Sequence, residues 1–148
     1  MSVTIGQVTA MTVITPIIEG RLEALQTVLT QIHTTPDSPL RQVNTIHFAR
    51  WVIINEGKQL LFTTNFDGGW EQYLKDFAEK TPGGVDAIWS NCVGYPGVKN
   101  LPALIKYVRQ YEVNATLFYA AYPDTTVRQV QKALRVQDKF QALLDEFN

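Results

Sequence analysis

Residues 45–70 read TIHFARWVIINEGKQLLFTTNFDGGW. From Asn44 to Asn55 the side chains alternate with a period of two. Ile46, Phe48, Arg50, Val52 and Ile54 share one face; His47, Ala49, Trp51 and Ile53 share the other. Glu56-Gly57-Lys58 then supplies a turn, and Gln59 to Asn65 is rich in the residues of a return strand. A short glycine-containing connection between two such runs predicts a hairpin. Phe66-Asp67-Gly68-Gly69 breaks the strand. Trp70, Tyr73, Leu74 and Phe77 follow at helical spacing to about Lys80, with Asp67 or Gly68 as the expected cap.

Upstream, residues 1–7 read as an irregular lead-in. Val8 to Thr15 is rich in Thr, Val and Ile and predicts a first strand. Thr15-Pro16 has the form of a helix start, and Ile18, Leu22, Leu25, Leu29 and Ile32 form an apolar stripe to about Thr34. The loop TTPDSPL leads back to the hairpin. Downstream, Val85, Ile88, Trp89 and Cys92 form a short helical stripe, and Gly94-Tyr95-Pro96-Gly97 a turn. Leu101, Leu104, Ile105 and Val108 mark a helix to about Tyr111. Asn114 to Tyr122, NATLFYAAY, predicts a last strand. Asp124 or Thr125 then caps a final helix running through Val127, Val130 and Leu134 to Phe140, Leu143 and Phe147.

The order is β-α-β-β-α-β with added helices, the pattern of a ferredoxin-like α+β domain with a four-stranded antiparallel sheet. At 148 residues one domain is expected, large enough to fold around its own core. The strands carry apolar residues on both faces, so the face away from the helices needs a cover. A second copy is the simplest one. In element order the whole chain resembles the dimeric α+β barrel superfamily, whose members include oxygenases, isomerases, peroxidases and binding modules. Thr64-Asn65-Phe66-Asp67-Gly68 also resembles the G-x-x-D-G motif of dye-decolourising haem peroxidases, matching it at Asp67-Gly68. That family holds its haem through a histidine downstream of the motif. Both histidines here, His33 and His47, precede Asp67. The resemblance therefore implies a small relative by fold, and no haem or other cofactor is expected.

The net charge of −1 offers no field for nucleic acid or an anionic membrane. One cysteine excludes an intrachain disulfide, and no apolar run approaches a membrane span, so a cytoplasmic protein is expected. The amino-terminal residues lack the pattern of a signal peptide. Metal binding is not expected, since neither histidine has a second ligand at metal-site spacing.

His47 is a candidate base because an imidazole titrates near neutrality; otherwise it is a half-buried histidine bonded to a neighbour. Arg50 on an apolar strand face calls for a partner, the carboxylate or enolate of a substrate or an internal acid such as Asp67 or Asp86; otherwise it is an edge arginine reaching solvent. Strict alternation places His47 and Arg50 on opposite faces unless a bulge intervenes. Asp67 is a catalytic acid or a helix cap, and Asn65 an oxyanion donor. Trp51, Tyr119 and Tyr122 line either a flat apolar pocket or a dimer interface. Cys92 reads as a packing residue. The basic stripe Arg128, Lys132, Arg135 and Lys139 reads as a solvated helix face.

Three functions follow. The first is a homodimer binding a small apolar or aromatic molecule, with cofactor-independent oxidoreductase or isomerase chemistry. The second is a non-catalytic binding or oligomerisation module. The third is a haem-peroxidase relative.

Overall fold

The computed structural model describes residues 2–148; Met1, part of the expected lead-in, lies outside them. The chain forms β1 (Val3–Ile5), β2 (Val8–Pro16), α1 (Leu22–Thr34), a 3-10 turn (Pro39–Gln42), β3 (Ile46–Ile54) and β4 (Gln59–Asp67). Four helices follow: α2 (Trp70–Lys80), α3 (Pro82–Trp89), α4 (Leu101–Tyr111) and α5 (Val127–Asp145). The fold is α+β, with one four-stranded antiparallel sheet in the order β1-β2-β4-β3. Helix α1 carries the chain from β2 to β3, and β4 lies between those two strands. This split arrangement is compatible with a ferredoxin-like domain.

Alternation decides which face is inside. Along β2, Met11, Val13 and Thr15 are buried, and along β4, Leu60, Phe62, Thr64 and Phe66. The register places Ala49, Trp51 and Ile53 of β3 on the same side. The helices supply the other half of the core: Leu25 from α1, Tyr73 and Phe77 from α2, Ile88 and Trp89 from α3, Leu104 and Tyr107 from α4. Phe66 stacks on Tyr73 with ring centroids 3.8 Å apart. The Tyr73 hydroxyl, deep in the core, is satisfied by Thr64 Oγ1 at 2.7 Å. Burial pushes the Tyr73 phenol above its ordinary value.

Several elements differ from the sequence expectation. Pro16 does not open α1; it ends β2 opposite Gln59. The backbone N–H groups of Ile17 and Ile18 donate to Lys58 and Asn91 carbonyls, which keeps the chain extended until Gly20 turns it at φ +83°. The lead-in is a strand, since Val3–Ile5 folds back on Val8–Ala10 through a two-residue turn at Gly6. The expected last strand is not one. The chain touches the outer edge of β2 at Glu112 and Val113, where a ferredoxin-like fourth strand would begin. It then departs, because β1 already occupies the rest of that edge. Helix α5 is capped by Thr126, with Gln129 completing a capping box, one residue later than expected.

Candidate functional site

The hairpin residues assemble on the sheet face turned away from the helices. On β4 that face carries Leu61, Thr63, Asn65 and Asp67. On β3 the register aligns Phe48 with Asn65, Arg50 with Thr63 and Val52 with Leu61. Between Ile46, opposite Phe66, and Phe48, opposite Asn65, the register slips by one residue, and His47 is the extra one. A bulge of this kind re-aims one side chain relative to strict alternation. His47 turns to the open face and bonds Asp67, its Nε2 lying 2.6 Å from Asp67 Oδ1. Both side chains are largely buried, 17% and 12% exposed. The expectation that His47 and Arg50 face opposite ways is therefore corrected by the bulge.

Asp67 uses both carboxylate oxygens. Oδ1 accepts from His47, and Oδ2 accepts the backbone N–H of Val127 at 2.8 Å. Val127 is the first residue of α5, so Asp67 is a helix cap, but of a helix 60 residues away and not of α2. Helix α2 begins after Gly69 with no side-chain cap. A carboxylate at a helix amino end is also favoured by the helix dipole. With Nε2 committed to Asp67, Nδ1 is the His47 nitrogen left to exchange a proton.

Phe48, Ala49, Arg50, Thr63 and Asn65 line an open concavity of about 410 Å³. Arg50 is exposed and forms no ion pair among the described residues. Neither internal acid weighed for it is its partner. Asp67 serves His47 and Val127, and Asp86 accepts from Tyr95 Oη and the Val98 N–H. His47, Arg50, Asn65 and Asp67 thus share one face.

Trp51 and Tyr119 lie elsewhere. Trp51 is on the helix face, its ring 4.7 Å from Phe62, and its indole Nε1 is buried without a hydrogen-bond partner. It lines a second groove, of about 660 Å³, between the end of α1, the 3-10 turn, the β3 edge and α3. Tyr119 sits on the segment after Val113 and is 79% exposed. Cys92 is buried, with Thr15 Oγ1 donating to its sulfur at 3.3 Å, and burial raises the thiol above its ordinary value. Arg128, Lys132, Arg135 and Lys139 are all exposed on α5.

Thr45 escaped the sequence reading. Its carbonyl accepts the Asp67 N–H at 2.9 Å, and its buried hydroxyl has no partner. A threonine just before an apolar strand carries no local signal of that role. Among the described residues no cluster of His, Cys, Asp or Glu could hold a metal ion, and no helix is long and apolar enough to cross a membrane. Comparison with protein-family models, curated proteins and solved structures finds no match to this chain.

Proposed function

We propose that the chain is a homodimeric α+β barrel protein whose open sheet face meets a second copy and encloses a small, largely apolar or aromatic molecule bearing an anionic group. The observation that carries this reading is the bulge at His47, which sets an imidazole–carboxylate pair, a guanidinium and an amide on one face. Arg50 holds a substrate carboxylate or enolate oxygen. Phe48 stacks on the apolar body, and Asn65 donates to a developing oxyanion. His47, oriented by Asp67, takes a proton at Nδ1 and returns it, as an isomerisation requires. Oxygenase chemistry would use the same deprotonation, with dioxygen as oxidant. Neither needs a cofactor. A second reading is favoured by the Asp67–Val127 bond: a non-catalytic dimerisation module in which the pair only fastens α5.

The test compares 2-naphthoate with its neutral amide by isothermal titration calorimetry. Wild type is expected to favour the carboxylate by about tenfold, the scale of one charge-assisted hydrogen bond. Arg50→Ala is expected to abolish that preference while keeping the fold. Equal binding of both compounds by wild type, or none, would overturn the ligand reading.

A further inference from the structure

We propose that residues 115–121 of one copy add as a fifth strand to the free edge of β3 in a second copy. The inference rests on the dimer reading above and names the contact that makes it.

The segment reads ATLFYAA and lies outside every helix and strand. Among the described residues its backbone makes no hydrogen bond. Leu117 and Tyr119 are 83% and 79% exposed, whereas Phe118 between them is half-buried, which is the alternation of a strand. A free receiving edge also exists. β3 is a nine-residue edge strand whose ladder partner is β4; its first N–H, of Ile46, turns back to the Val43 carbonyl, and among the described residues no helix or loop backbone bonds to Phe48–Ile54. A long unprotected edge is a template for another strand.

The segment cannot reach the β3 edge of its own chain. Both its ends are fixed on the far side of the sheet. Val113 N–H donates to Thr12 on β2, and the Pro123 carbonyl accepts from Gln7 in the β1–β2 turn. A strand beyond β3 would lie three strand spacings from β2, roughly 14 Å away. Gly6 leaves no slack at the second anchor, since a Cβ there would stand 2.6 Å from the Pro123 carbonyl oxygen.

The exposed area calls for a partner of this size. Beyond Val127, every residue from Arg128 to Asn148 is exposed, so α5 stands off its own domain. Phe48, Tyr119, Tyr122, Phe140 and Phe147 are 59–81% exposed. At roughly 200 Å² per aromatic side chain, these five leave on the order of 750 Å² in water, close to the about 800 Å² per partner of a specific interface. Phe48 lies on the receiving strand and Tyr119 on the incoming one, so the two surfaces belong to one self-complementary contact.

The experiment places the photo-crosslinking residue p-benzoylphenylalanine at Tyr119 in nitrogen-15-labelled full-length chain, mixed with unlabelled wild type. Light scattering gives the mass, and mass spectrometry maps the cross-links. Cross-links from the labelled chain to residues 46–54 of the unlabelled chain, in a species of dimer mass, are expected. Tyr119→Pro, which removes a ladder N–H at a position exposed in the single chain, is expected to weaken the dimer at least tenfold without changing the far-ultraviolet spectrum. A dimer cross-linked elsewhere overturns the strand addition and leaves the dimer reading standing. A monomer overturns both.

Discussion

Replacing Asp67 separates its two duties. In Asp67→Ala both bonds go: the 2.6 Å bond to His47 and the 2.8 Å bond to the Val127 N–H. A hydrogen bond to a charged group contributes about 1.5–3 kcal/mol net, and a helix cap about 1 kcal/mol. The two losses fall on different parts of the molecule. His47 belongs to the sheet, so losing its partner lowers global stability by about 1.5–3 kcal/mol. Helix α5 is exposed beyond Val127 and keeps its own Thr126 capping box, so losing the Asp67 bond frees the amino end of α5 from β4 without unfolding the core. Asp67→Asn divides the effects further. Its amide oxygen can still accept from Val127, but its NH₂ faces His47 and forces Nε2 to become an acceptor, placing the imidazole proton on Nδ1. That variant keeps the amino end of α5 tied to β4 and reverses the tautomer. Urea denaturation reads the global term, hydrogen exchange at Val127 to Val130 reads α5, and nitrogen-15 chemical shifts read the tautomer. An Asp67→Ala protein within about 0.5 kcal/mol of wild type, with Val127 exchange unchanged, would refute the assignment of Asp67 as the shared anchor.

Two further outcomes test the core. Thr64→Val strands the Tyr73 hydroxyl and Tyr73→Phe strands the Thr64 hydroxyl, each costing about 1–3 kcal/mol, while the double variant falls close to wild type. Additive losses in urea denaturation would show that the 2.7 Å contact carries no coupling. Burial raises Cys92, Tyr73, Tyr95 and Tyr107 above their ordinary values. The unfolded chain therefore releases these protons at lower pH than the folded one, and stability falls as pH rises, beginning near the unfolded thiol at about 8.5 and steepening past the phenols at about 10. A urea midpoint constant from pH 8 to 11 would contradict this, the pH limits being roughly those of the unfolded groups.

The central hairpin was legible because its signals agree. Alternation from Ile46 to Ile54, the glycine turn and the apolar return strand all specify one register, and the structure keeps it from Phe48 to Gln59. The helical stripes of α1, α2 and α4 were legible for the same reason. The start of α1 was misread because Thr15-Pro16 has the local form of a helix opening. Three long-range contacts of Pro16, Ile17 and Ile18 outweigh that form. Asp67 was read as a local cap because Gly68 and Gly69 follow it. The N–H it caps belongs to a helix that no local pattern could associate with it.

The other two misreadings, His47 and the segment after Val113, have a common physical origin. Both lie at the margins of the sheet, His47 on the edge strand β3 and the segment beside the stretch of β2 that the short β1 leaves uncovered. In the sheet interior a one-residue slip would exchange a buried face for an exposed one along a whole strand, so the hydrophobic pattern enforces the register. At an edge the slip is confined to the residues beyond the bulge, and only Ile46 and His47 change their relation to β4. That small cost is met by the bond between His47 and Asp67. On the β2 edge the competition is between β1 and the chain after Glu112 for the same carbonyl and N–H groups. The two-residue turn at Gly6 brings β1 to that edge with almost no loop to close, whereas residues 114–122 must return across a helix. The short local strand wins, and among the described residues the segment 115–121, with the composition of a strand, has no ladder partner. A sequence can therefore specify a strand correctly and still not say whose sheet it joins.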